Sequence, residues 1–166
     1  MTKSLKGRIR EIRSVMGLVY NETDMKYQVR FGTKGRTMGP AAQATQADRT
    51  LGQNPTPLDF FFKLAELWDL SSEQQIKLLG APARSTYFRW RKDGGDVSAD
   101  TAERISHLGS IYKALIILLD TPDGADRWLR RPNRYFDGAS ALDVMLAGGL
   151  ADIIRVRNYV DAQRGG

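Results

Sequence analysis

Cysteine is absent from the 166 residues, and histidine occurs once, at His107. The first absence excludes a disulfide framework, a thiolate metal site and a cysteine nucleophile, and fits a reducing compartment. The second excludes a multi-histidine metal site, and a single helical histidine reads as a packing or surface residue without a function of its own. Long apolar runs are also missing. The longest, Ala114 to Leu119, is far too short to cross a bilayer, and the basic N-terminus is not followed by the apolar core of a signal peptide. A soluble, cytoplasmic protein with no membrane partner is expected. No phosphate-cradling glycine motif is present, because Gly94-Gly95 and Gly148-Gly149 follow helical patterns and do not open them. The acidic groups Asp93/Asp96 and Asp120/Asp123/Asp126 fall near predicted helix ends, where carboxylates cap and complement the dipole. No cofactor, metal or catalytic residue is expected, and the chain is not read as an enzyme.

Charge is unevenly spread. The net charge is +6, and residues 1–50 hold ten Lys/Arg against four Asp/Glu, leaving the remainder neutral. A basic arm on a neutral body points to a polyanionic partner, since Lys/Arg contacts to phosphates release counterions. A solvated leader has the same composition without any ligand. Within residues 1–55, Leu5 to Tyr20 has the spacing of a basic amphipathic helix, Met25 to Phe31 alternates loosely as a short strand would, and Gly32 to Pro57 reads as a linker.

Helical signals dominate from Thr56 onward, and the predicted class is all-α. Thr56 and Pro57 open a helix whose apolar stripe runs from Phe60 to Trp68 and stops near Leu70. Ser71-Ser72-Glu73-Gln74 starts a short second helix that Gly80 ends. A third, expected to open at Ser85, carries Tyr87, Phe88 and Trp90 among basic residues and ends at Gly94-Gly95. Ser98 caps a long fourth helix through Asp120. Further helices are predicted from Thr121-Pro122 to Leu129, from Ser140 to Ala147, and from Leu150 to Val160, with turn chemistry at Phe136-Asp137-Gly138 between the first two. The expected organisation is an arm and linker over 1–55, a central domain over 56–120 and a C-terminal domain over 121–166.

Two short helices joined by a Gly/Pro turn, the second beginning with polar and basic residues, form the plan of a helix-turn-helix. On that plan Arg84, Ser85, Thr86 and Arg89 face bases or phosphates, Arg91 and Lys92 touch backbone phosphate, and Tyr87 or Phe88 packs inward. Any helical bundle contains two short helices and a turn, so this pattern alone favours DNA only slightly. The more specific signal lies further on: Trp128-Leu-Arg-Arg-Pro132-Asn133, then Gly138, then Leu142-Asp143 and a final helix after glycine. Pro132 ends a helix, Asn133 is placed to bond nearby backbone, and Gly138 permits a positive-φ turn, so these residues are first of all fold determinants.

That run resembles the C-terminal domain of Xre/MbcA/ParS-type antitoxins, and Arg84 to Trp90 resembles the third helix of the Xre-like unit preceding it. Ala141 stands where the family commonly has proline, and the first fifty residues lie outside the resemblance, which covers about Leu58 to Gln163. The resemblance implies a Xre-like helix-turn-helix domain followed by a small toxin-binding domain, and a RES-domain toxin partner that consumes NAD or transfers ADP-ribose. The helix-turn-helix plan itself points to operator DNA bound by a homodimer, since such readers usually bind two half-sites one helical turn apart. The resemblance also implies that the chain's end occludes the toxin's active site, which makes Arg155, Arg157, Asn158, Tyr159 and Arg164 the candidate toxin contacts. A helix-turn-helix regulator without a toxin, and a helical adaptor with a protein partner alone, are the alternatives. A neighbouring reading frame encoding a RES-domain protein separates the first reading from both.

Overall fold

A computed structural model describes residues 56–119 and 122–165. The expected helix over Leu5 to Tyr20, the strand over Met25 to Phe31, the linker as far as residue 55, and the helix-end residues Asp120 and Thr121 lie outside the described residues. The last two residues of the expected linker, Thr56 and Pro57, belong to the start of the first helix. Every regular element described is helical, as the sequence predicts.

The order is α1 (Pro57–Leu67), α2 (Ser72–Leu78), α3 (Arg84–Asp93), α4 (Ala99–Leu119), α5 (Pro122–Arg130), a 3-10 turn (Arg134–Phe136), α6 (Ala141–Leu146) and α7 (Leu150–Gly165). Reciprocal capping sets three of the starts. Thr56 with Asp59, Ser71 with Gln74, and Ser140 with Asp143 each satisfy two backbone N–H groups that the first helical turn leaves without partners. The Ser140 box also explains how α6 starts firmly with alanine at position 141. Three boundaries differ from expectation. The first helix ends at Leu67: Trp68 still donates to the Leu64 carbonyl as the C-cap, and Asp69 then takes a positive φ that turns the chain away. The third begins at Arg84, one residue before Ser85, on Ala83 and without a side-chain cap. The last runs on to Gly165, well past Val160, its Arg157–Asp161 and Arg164–Asp161 pairs tying successive turns together.

One hydrophobic cluster draws residues from all seven helices and the 3-10 turn. α4 is its axis: Ile105, Leu108, Ile111, Tyr112, Ala114 and Leu115 are buried along it. α7 makes the most extensive helix contact with α4 through the fully buried Ile153, Val156 and Val160, while α1 and α5 also pack on α4. α6 lies against α2 as well as against α7. Arg130 of α5 donates to the carbonyl of Trp68 at the end of α1, which adds a polar tie between the two ends of the fold.

A buried arginine sits where the halves meet. Arg104 on α4 donates from Nε to Asp100 Oδ2 at 2.8 Å and from its guanidinium to the Gly148 carbonyl at 3.0 Å, at the break between α6 and α7. Its stem passes Gly80, whose φ of +92° suits glycine; a Cβ there would stand 3.0 Å from both Arg104 Nε and Asp100 Oδ2. Replacing Arg104 with Met keeps the apolar stem and removes both donations. The expected loss is about 1.5–3 kcal/mol of unfolding free energy, the range for a hydrogen bond involving a charged group, measured by chemical denaturation.

Candidate functional site

α2, the turn from Leu79 to Ala83, and α3 form the first candidate surface. Gly80 and Ala81 both take positive φ, which reverses the chain tightly after α2. α3 is held at a defined rotation by a buried polar chain: Gln75 Nε2 donates to the Leu70 carbonyl at 2.8 Å, Tyr87 Oη donates to Gln75 Oε1 at 2.7 Å, and Arg91 donates to Tyr87 Oη at 3.2 Å. Tyr87 and Trp90 face the core. Arg84, Ser85, Arg89, Arg91 and Lys92 are exposed, and Thr86 is half-buried. Arg84 lies 4.0 Å from Glu73 with both side chains in solvent, a contact of little strength that leaves the guanidinium available. Phe88 is also exposed, so of the two aromatics considered for the inward position it is Tyr87 that takes it.

The second surface is built from the 132–140 connection and α7. Asn133 Oδ1 accepts from Tyr135 N at 2.9 Å, and the Asn133 carbonyl accepts from Phe136 N and Gly138 N at 3.0 Å. Gly138 has φ +88°, and Pro132 bridges to Ser140, so the motif residues close a compact hairpin-like connection. Leu142 is buried beneath it. Tyr159 stands at the centre of an aromatic group, stacked on Trp128 at 6.1 Å, tilted on Tyr135 at 4.5 Å and edge-on to Phe136 at 5.2 Å. Arg155 lies over the Tyr135 and Phe136 rings at 5.8 and 5.5 Å and donates to the Tyr135 carbonyl at 3.3 Å. Tyr135 and Asn158 are exposed beside it.

Among the described residues no cluster of His, Asp or Glu comes together that would hold a metal, and no described helix is long and apolar enough to cross a membrane. The profile of the antitoxin Xre-like helix-turn-helix domain matches residues 53–109, and that of the antitoxin Xre/MbcA/ParS C-terminal toxin-binding domain matches residues 114–166. The chain belongs to the Xre-type antitoxins. It is also similar to protein y4oB of Sinorhizobium fredii (strain NBRC 101917 / NGR234), itself uncharacterised, at 60% identity over 112 residues, 68% of this chain and 87% of that protein.

In this antitoxin the six α3 candidates lie on or beside one helical surface. The five α7 candidates are more dispersed. Arg155 and Asn158 face outward about one turn apart on α7, Arg155 against Tyr135; Tyr159 is half-buried among rings; Arg164 pairs with Asp161 at 3.9 Å. Arg157 turns toward α4, donating to His107 Nδ1 at 2.7 Å and approaching Asp161 at 3.4 Å. Sequence reading missed three participants. Gln75 is a polar residue on the same helical stripe as Leu78 and Leu79, a spacing that marks it as buried. Tyr135 and His107 carry no comparable signal, because the groups of α7 that they meet, Arg155 and Tyr159 for the first and Arg157 for the second, lie 20 or more residues away.

His107 accepts from Arg157 in its neutral form. Burial, and after it the Arg157 guanidinium, hold its pKa below the usual 6.5, against an opposing pull from Glu103 at 3.7 Å. The unfolded chain therefore takes up the proton first. The contribution to stability is complete above pH 6.5 and is lost as pH falls through that value toward the depressed folded one. The melting temperature is expected to drop on acidification from about pH 7.5 to about pH 5.5, and His107→Gln to flatten that dependence; an equal slope in the variant would assign the acid sensitivity to other groups.

Proposed function

We propose that this antitoxin neutralises a RES-domain toxin, an NAD-consuming or ADP-ribosylating enzyme, by direct binding that covers the toxin's active site, and that it represses its own operon by binding operator DNA as a homodimer. The observation that carries the toxin reading is the outward cluster of Tyr135, Arg155 and Asn158 within the toxin-binding domain. A rigid aromatic, a guanidinium and an amide on one firm surface are the residue types that concentrate binding energy at interfaces, and Arg155 offers planar donors to carboxylate or phosphate-recognising groups in a pocket made for a dinucleotide. Operator binding is supported by the exposed Arg84, Arg89, Arg91 and Lys92 of α3, a helix with no acidic residue before Asp93. In a dimer the two recognition helices enter successive major grooves about 34 Å apart.

Truncation after Leu150 does not isolate toxin binding, because it removes Ile153, Val156 and Val160 from the shared core. The discriminating variant is Arg155→Glu with Asn158→Glu, which alters exposed groups. Co-expressed with the RES-domain product of the adjacent reading frame, the wild type is expected to restore growth and copurify with the toxin. The double variant is expected to lose about 2 kcal/mol or more of binding, roughly 30-fold in Kd by calorimetry, with an unchanged circular dichroism spectrum. Retained affinity in the variant would move the interface elsewhere, and a wild type that neither protects nor copurifies would leave a regulator without a toxin.

For the DNA reading, Arg84→Ala, Arg89→Ala and Lys92→Ala together leave the Arg91–Tyr87 contact intact. Binding to the protein's own promoter is expected to weaken by about 1–3 kcal/mol for each lost base contact, with the salt slope falling by roughly 0.9 for each lost phosphate contact. Equal binding by the triple variant would remove α3 as the DNA reader.

A further inference from the structure

Phe88 is 48% exposed at the middle of α3, in the one place on this helix where an apolar side chain meets solvent. Its surroundings are cationic. Arg84 and Ser85 precede it by four and three residues, Arg91 and Lys92 follow by three and four, Arg89 adjoins it, and α3 contains no acidic residue before Asp93. Arg84 and Lys92 each lie about 6 Å along the helix axis from Phe88, at 1.5 Å rise per residue.

The ring is also held in position. Phe88 packs edge-on against Tyr87 with centroids 5.1 Å apart and planes at 71°. Tyr87 is fixed in turn by its hydrogen bond to Gln75 and by an edge-on contact with Phe62 at 6.0 Å, and Phe62 leans on Phe61 at 5.7 Å. A file of four aromatics thus runs from the core to the surface and ends at Phe88. A side chain anchored this way presents a defined apolar edge with little rotamer freedom to lose on binding.

A protein partner apolar enough to cover Phe88 would also have to neutralise the cations around it. The DNA major groove supplies both features: phosphates along its walls and, on its floor, the C5 methyl of thymine, the one apolar group that the four bases present there. We propose that Phe88 is a specificity-determining residue that reads a thymine methyl in the major groove, an assignment that rests on α3 being the DNA reader.

The test uses the full chain and a duplex from its own promoter in which thymines are replaced one at a time by deoxyuridine, which deletes only the methyl group. Wild-type binding is expected to fall about 5- to 10-fold at one thymine position in each half-site. Phe88→Ala is expected to bind the unmodified duplex more weakly by a similar factor and to be indifferent to the same replacement, while Phe88→Leu keeps part of the sensitivity. A wild type that fails to distinguish promoter from random DNA overturns the DNA reading itself and this assignment with it. Promoter-specific binding with no uracil effect at any position overturns the assignment alone, and that arm needs no variant to fold. It is equally overturned if Phe88→Ala retains the uracil effect, loses affinity for all DNA alike, or changes the sedimentation of the free protein, the last of which would make Phe88 a contact between subunits.

Discussion

The 21-residue helix α4 is the constraint on which the rest depends. It is long enough, at roughly 31 Å by the standard helical rise, to reach from the helix-turn-helix to the toxin-binding domain. Residues 99–109 fall within the first family match and residues 114–119 within the second, yet the helix passes through without a break. Its burial is wide. Thr101, Arg104, Ile105, Leu108, Ile111, Tyr112 and Leu115 form one buried stripe, and the buried Gly109 and Ala114 widen it on either side because neighbours pack on more than one face.

Side chains at two levels of α4 then connect the elements that carry the two candidate surfaces. Arg104 meets the α2–α3 turn at Gly80 and the α6–α7 break at Gly148, and His107, one turn along, meets Arg157 of α7. A buried guanidinium must have its donors satisfied, so the positions of Asp100 and the Gly148 carbonyl are not independent of the turn that leaves room for the arginine stem. The same reasoning applies to α3. Its outward residues differ in type, but the Leu70–Gln75–Tyr87 chain fixes which of them face out, because a rotation of α3 would leave Gln75 or Tyr87 buried without a partner.

The C-terminal motif shows one residue set serving structure first. Asn133, Gly138 and the Ser140–Asp143 box satisfy local backbone groups, and by closing the connection they place Tyr135 and Phe136 against Tyr159. Arg155 covers those rings and remains half-open to solvent. A surface residue supported in this way has little conformational entropy to lose on binding, which suits it to an interface.

Caps, turns and helical periodicity are local, and the sequence alone determined them: the starts at Thr56, Ser71, Ser98 and Ser140, the positive φ at Gly138, the all-helical class, and the motif run that carries the family resemblance. Local signals also sufficed to mark the basic residues of α3. Tertiary structure decided what depends on partners distant in the chain. Tyr87 and Phe88 are adjacent aromatics that propensity does not distinguish, and only the placement of Gln75 and Phe62 sends one inward and leaves the other in solvent. Arg155 and Arg157 are likewise two positions apart with the same side chain. The packing of α7 on α4 turns Arg157 to His107, 50 residues away, and leaves Arg155 over the rings beside Tyr135, because side chains two apart on a helix point in different directions and each answers to whatever lies across from it.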